Sequence, residues 1–129
     1  MNAEARREKL DQITEIIIGC AYSVQSTLGS GFLEKVYENA LSHEIKKAGL
    51  GVLQQFPIKV FYDGIEVGDY VSDIIVENQI LVELKAVRTI DNIHRAQCLN
   101  YLKATDFKVC LLINFGNPKL EIRRVVLDY

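Results

Sequence analysis

Cysteine is scarce in this 129-residue chain: three are present, at positions 20, 98 and 110, an odd number with no CxxC spacing and no Cys/His pairing. That pattern excludes a zinc module and a disulfide framework. Neither is needed, because a chain of this length buries roughly two-thirds of the surface that its unfolded form exposes. A reducing cytoplasm is the expected compartment. Charge of one sign is lacking too, with 15 Lys and Arg against 17 Asp and Glu, a net charge of -2 and a pI near 5.7. The overall basic footprint of a general nucleic-acid coat is thereby excluded, and any nucleic-acid contact must rest on a local patch. No window approaches 18 uninterrupted apolar residues, and the polar N-terminus MNAEARREKLD lacks the basic-then-apolar order of an export signal. Neither membrane spanning nor export is expected. Repeats, low-complexity tracts and linkers are also missing. What remains, 49% hydrophobic and 25% charged, is the balance of one globular domain over residues 1–129, with about residues 1–10 expected to fray.

In residues 3–28 the apolar positions Leu10, Ile13, Ile16, Ile17, Cys20, Ala21, Val24 and Leu28 recur at three and four, the period of an amphipathic helix. Gly29-Ser30-Gly31 stops it. A second helix is predicted over residues 32–48, with Gly49 beyond its end as a C-terminal cap. The character then changes. Segments 52–56, 59–62, 65–76 and 80–87 are rich in β-branched and aromatic residues, and Asp63-Gly64 is the strongest hairpin signal in the chain. Pro57 cannot donate to a ladder, so it marks an edge strand or a bulge. A third helix is predicted to about Ala104 from Asp91 or Asn92, either of which can cap it. Strands at 109–114 and 120–127 follow. Two helices, a run of strands, a helix and two strands make an α/β or α+β domain, a mixed sheet flanked by helices.

Two places in the strands carry charge where charge is costly. Asp73 interrupts Tyr70-Val71-Ser72-Asp73-Ile74-Ile75-Val76, and Glu83 with Lys85 interrupts Ile80-Leu81-Val82-Glu83-Leu84-Lys85-Ala86-Val87. Both segments otherwise read as central strands covered on both faces, so these charges require a partner or a metal. An antiparallel hairpin centred on Asn78 sets Asp73 opposite Glu83 and brings Lys85 to the same face. A two-residue turn at Asn78-Gln79 would instead set Asp73 opposite Leu84 and send Glu83 and Lys85 through the other face. Convergence therefore requires an odd loop. Paired carboxylates repel, and the usual remedies are a shared proton or a hard divalent cation held by oxygen ligands. A lysine beside them suits the second, since it can orient water or steady charge on a phosphate.

Gly31-Phe32-Leu33-Glu34-Lys35-Val36-Tyr37 matches the GxxExxY signature. With Ser72-Asp73, Glu83-Leu84-Lys85, residues 96–102 (AQCLNYL) and residues 112–116 (LINFG), the chain resembles the small bacterial and archaeal GxxExxY proteins from about residue 13 to 126. That family is placed in the PD-(D/E)xK nuclease superfamily. The resemblance implies a restriction-endonuclease-like core and site roles residue by residue. Glu34 is the leading acidic residue, which contacts metal directly or through water. Asp73 is the central metal ligand, Glu83 the second carboxylate ligand with the Leu84 carbonyl as a further oxygen, and Lys85 the catalytic lysine. Gln97 resembles the glutamine that several nuclease branches carry on the following helix. Serine stands at position 72 where the motif's name has proline, a common variation.

Around these residues the reading is plainer. Tyr101 lies one helical turn from Gln97 and is a candidate substrate contact; His94, three residues before Gln97 on the same side, is weighed between phosphate contact and ordinary exposure. Tyr37 is expected to pack in the core and hold the helix of Glu34, and Gly31 to serve the turn. Arg88, Arg95, Lys103, Arg123 and Arg124 are read as solvated or as a local phosphate-facing patch. The resulting expectation is a Mg²⁺-dependent phosphodiesterase, with Mn²⁺ as substitute, acting on DNA or RNA. The rivals are a nucleic-acid-binding or regulatory module that keeps the nuclease fold without cleavage, and a charge cluster that stabilises a homodimer.

Overall fold

Three helices and five strands make up the protein in a computed structural model that describes residues 2–129. In chain order they are α1 (Ala3–Leu28), α2 (Glu34–Lys47), β1 (Val52–Tyr62), β2 (Ile65–Val76), β3 (Ile80–Lys85), α3 (Asn92–Ala104), β4 (Val109–Asn114) and β5 (Glu121–Val126). Met1, the first of the residues expected to fray, lies outside the described residues. From Ala3 onward α1 is a continuous helix, capped by the Asn2 side chain, which accepts the Ala5 N–H at 2.8 Å. The end of α2 is closed as its glycine foretells: with Gly49 at φ 90, the Gly49 and Leu50 N–H groups donate back to the Lys46 and Ile45 carbonyls.

One sheet holds all five strands in the order β1-β2-β3-β4-β5, antiparallel except for β3 beside β4. A parallel pair needs a long crossover, and α3 is that crossover. Period-two alternation divides the core. Ile74, Val82, Leu84 and Ile113 pack beneath α1 and α2 against Ile17, Tyr37, Leu41 and Ile45. Ile75, Leu81, Cys110 and Leu112 pack beneath α3 against Cys98, Tyr101 and Leu102. The architecture is an α+β domain with two N-terminal helices and a mixed sheet flanked on both faces, consistent with a restriction-endonuclease-like fold. Among the described residues no helix is long and apolar enough to cross a membrane.

The strands depart from their sequence pattern in three ways. First, β1 runs unbroken through Pro57, where two segments are predicted, because β1 is an edge strand and the missing N–H leaves no ladder bond unmade. Its register on β2 shifts instead at Val60 and Phe61, and Gln55 has a positive φ of 57, with Gln54 and Gln55 both reaching the same side chain on α2. Second, β3 ends at Lys85, two residues short of its apolar run. Third, β2 is central only from Ser72 on. Tyr70 and Val71 are 51% and 45% exposed, since the first half of β2 pairs with β1 alone and forms a long arm. The arm closes at Asp63 and Gly64, with φ 51 and 77, both positive as a type I′ turn requires.

Candidate active site

The loop before α2 turns at Gly29 and Gly31, with φ 67 and 114. Tyr37 fastens it. Its hydroxyl donates to the Gly29 carbonyl at 2.6 Å and accepts the Phe32 N–H at 3.2 Å, while its buried ring stacks on Phe115 with centroids 4.6 Å apart. Glu34 is thereby presented as the first residue of α2, where a carboxylate is favoured by the helix dipole. The Ala86 N–H just beyond β3 favours its charged form. Burial raises its carboxyl above the usual range, Asp73 adds to the rise, and Lys85 opposes it.

The hairpin between β2 and β3 has the odd loop. Val76, Ile75 and Ile74 pair with Ile80, Leu81 and Val82, and Glu77-Asn78-Gln79 connect them, with the Gln79 N–H donating to the Val76 carbonyl at 3.0 Å. One step further along this register Asp73 faces Glu83, and there the backbone ladder stops. The Asp73 N–H donates to Glu83 Oε1 at 3.3 Å, and the Leu84 N–H donates to Asp73 Oδ2 at 2.8 Å. Each carboxylate thus takes a backbone N–H of the opposite strand where the ladder is not continued, and the strands part. The two carboxyls also perturb each other. Glu83, 3% exposed, is pushed up to about 9, by burial first and by the Asp73 charge second. Burial likewise raises Asp73, against the lowering effect of the Leu84 N–H. Burial and mutual repulsion thus push both carboxyls toward the protonated form, the condition that a shared proton or a cation relieves.

Lys85 lies on the α3 side of β3 with Glu83, and Nζ donates to Gln97 Oε1 at 3.4 Å. Gln97 Nε2 in turn donates to the Tyr101 hydroxyl at 3.0 Å. Tyr101 is pushed up to about 12, chiefly by burial and then by Glu83 and Asp73. The structure therefore brings Glu34, Asp73, Glu83, Leu84, Lys85, Gln97 and Tyr101 to one end of the sheet. His94 is differently engaged: its Nδ1 accepts the Asp91 N–H at 3.2 Å while Asp91 Oδ1 accepts the Ile93 N–H at 2.8 Å, a capping box that opens α3. Two of the five basic residues are engaged elsewhere, since Arg124 bonds Asp11 of α1 at 2.6 Å and lies over the Tyr129 ring, while Arg123 lies 3.9 Å from Glu121.

Two residues of the site escape the motif reading. Glu38, 4% exposed, accepts from Lys35 Nζ at 2.9 Å, Gln54 Nε2 at 2.6 Å and Gln55 Nε2 at 3.0 Å, and its charge raises both Glu34 and Asp73. The available signal was its i+4 spacing from Glu34, which stacks the two carboxylates on one face. Asn114, fully buried, braces the segment after Lys85. Its Oδ1 accepts the Val87 and Gly116 N–H groups at 3.0 and 2.9 Å, and its Nδ2 donates to the Val87 carbonyl at 2.9 Å and Glu121 Oε1 at 2.8 Å. Gly116 must stay bare, because a Cβ there would lie 2.2 Å from the Val87 oxygen.

A model of the PD-(D/E)XK nuclease superfamily matches residues 11–125. The chain belongs to the PD-(D/E)XK nuclease superfamily. Neither the curated proteins nor the solved structures compared with it contain a significant match. PD-(D/E)XK nucleases act on nucleic acid and generally use divalent metals, so the donors here can be tested for fit. They are oxygens only, the set preferred by a hard cation, and a cation would relieve the mutual repulsion that raises Asp73 and Glu83. Among the described residues no three His, Cys, Asp or Glu side chains are grouped closely enough to hold an ion by themselves. In this member of the PD-(D/E)XK superfamily a cation at Asp73 and Glu83 would need further oxygens from backbone, water or a side chain that moves.

Proposed function

We propose that the protein is a divalent-metal-dependent nuclease that hydrolyses phosphodiester bonds of DNA or RNA, and that it stands among the GxxExxY proteins its motifs resemble. The observation that carries this reading is the fork at Asp73 and Glu83, where two buried carboxyls each take a backbone N–H across the strands, and Lys85 stands beside them on the side of α3. Such an arrangement weakens a folded chain unless it serves a ligand. Asp73, Glu83 and the Leu84 carbonyl would hold Mg²⁺, or Mn²⁺ in its place, with Glu34 reaching it directly or through water. The ion, when bound, supplies Lewis-acid activation and neutralises charge at the scissile phosphate. Lys85 orients the attacking water and steadies the growing phosphate charge, and Gln97 holds the ammonium in place. Tyr101 positions Gln97 from one turn away. No covalent intermediate with the enzyme is required. The three cysteines are free thiols, in keeping with a cytoplasmic protein.

The test is cleavage of single-stranded, duplex and branched DNA and RNA by the purified protein with Mg²⁺, Mn²⁺ or EDTA, Lys85→Ala serving as the contamination control. Metal-dependent cleavage that Lys85→Ala abolishes is expected. Specific binding of nucleic acid with no Lys85-dependent cleavage on any substrate would make the protein a binding module that keeps the nuclease fold.

A further inference from the structure

Between the β1–β2 arm and α3 lies a groove of about 860 Å³, within the range of about 300–1,000 Å³ usual for ligand sites. Its depth comes from small residues. On the arm, a Cβ at Gly68 would stand 3.3 Å from the Tyr70 ring and 3.4 Å from Val60 Cβ, and α3 contributes Ala96 and Ala104. Its walls are aromatic. Phe61 and Tyr70 are 60% and 51% exposed, and the Tyr70 ring meets that of Tyr101 at 49° with centroids 5.8 Å apart. The two rings form an open wedge instead of a closed stack.

Three observations say what fits there. The groove is continuous with the carboxylate site, because Gln97 and Tyr101 both line it, and Gln97 accepts from Lys85 while donating to Tyr101. Its lining carries one charge, the cation of Lys103, and among the described residues no carboxylate lines it, although the chain as a whole is acidic. Asn100 adds an amide that can donate and accept. A polyanion whose phosphate sits at Asp73 and Glu83 thus meets, on the side of α3, flat aromatic faces, an amide and a single cation. Bases within a duplex have their faces covered by their neighbours, whereas unpaired bases offer free faces to aromatic side chains.

We propose that this groove takes unpaired bases, so that the substrate is single-stranded DNA or RNA, with a base received between Phe61, Tyr70 and α3 next to the scissile phosphate. This rests on the nuclease reading of the carboxylate site and names its substrate class. Stacking supplies affinity without demanding a sequence, and Lys103 tracks the backbone.

Fluorescence anisotropy of the full chain in EDTA, which prevents cleavage, tests it with labelled oligodeoxyuridylate, oligouridylate and a blunt-ended duplex. Phe61→Ala and Tyr70→Ala should each weaken single-strand binding roughly 5- to 150-fold and leave the weaker duplex binding unchanged, while Tyr70→Phe should restore affinity. A difference between the two single strands identifies the sugar and supports the proposal in either direction. Variant binding equal to that of the unmodified protein, preference for duplex, or no binding of either single strand would overturn it. So would light scattering that shows a dimer dissociated by Phe61→Ala, since the groove would then cover a second copy of the chain. Circular dichroism melts establish that each variant is folded. Cleavage in Mg²⁺ separates the two readings. Lys85-dependent cleavage insensitive to Phe61 and Tyr70 sinks the groove alone, and Phe61-dependent binding without cleavage sinks the nuclease alone.

Discussion

The β2–β3 pair is closed at one end and open at the other, within a few residues of similar β-branched sequence. At the closed end Ile74, Ile75 and Val76 meet Val82, Leu81 and Ile80 through backbone bonds, and all six are buried. At the open end Asp73 and Glu83 use their side chains to take each other's strand N–H groups. The difference shows how a sheet opens a polar site without a loop. Carboxylates satisfy the backbone groups that the missing ladder would have left bare, so the strands can part at little hydrogen-bonding cost. The closed end then carries stability and the open end carries chemistry.

Four experiments would break or sharpen that division. The largest effect is expected for Lys85→Ala, which should lower cleavage about 10²- to 10⁴-fold, the usual loss for a group that assists proton transfer. Calorimetric metal affinity should hold or rise, because the carboxylate oxygens remain and one competing positive charge is gone. Glu83→Gln should instead lose metal and cleavage together. Equal loss of metal by both variants would make Lys85 part of the metal site's construction.

At the closed end Leu81→Ala should cost about 2–5 kcal/mol in denaturant unfolding, as buried leucine truncations do, with metal affinity of the folded fraction intact. Loss of metal affinity would show that the two ends are not separable. The pH dependence should differ in sign from that of an ordinary acidic protein. Glu83 keeps its proton in the folded state up to a pH of about 9, whereas the unfolded chain loses it in the ordinary carboxylate range. Metal-free stability therefore falls as pH rises through that window, and stabilisation by Mg²⁺ grows over the same window because binding releases the proton. Melting curves with Mg²⁺ and with EDTA across the window check both slopes. The smallest effect is expected for Asp73→Asn. It relieves the repulsion yet keeps an oxygen for the Leu84 N–H, so metal-free stability should stay within about 1 kcal/mol or improve. A large loss would mean that the Asp73 charge itself holds the sheet together.

Much of this organisation was legible in the chain. Asp73, Glu83 and Lys85 stood out because charge in a doubly covered strand needs a reason, and a three-residue loop at Asn78 sufficed to bring them together. The ends of α1 and α2 followed from glycines, the cap of α3 was narrowed to Asp91 or Asn92, of which Asp91 serves, and α2 begins at Glu34, two residues later than its pattern. Other features lay beyond pattern. Ile65, Val67, Tyr70 and Val71 have the composition of buried strand, yet they are exposed because β2 outruns β3 and meets only β1, and nothing local in a sequence records how long its neighbour is. Glu38 became part of the site through the positive φ at Gln55, which turns two consecutive glutamines toward α2; alternation predicts one of them. His94 resembled a site residue by spacing, but its partner was Asp91, three residues away.

The brace at Asn114 bears on the order in which the protein can be made. Lys85 and the segment after it emerge from synthesis well before Asn114, Phe115, Gly116 and Glu121, the residues that fix Val87 and receive the Tyr37 ring. A growing chain can form the β2–β3 hairpin and bring its carboxyls together while the lysine strand still has no neighbour on its β4 side. Lys85 is secured only when the last third of the chain docks. Nascent or C-terminally shortened forms should therefore carry the acidic half of the centre without a fixed lysine, and competence would arrive late, as a property of the completed fold.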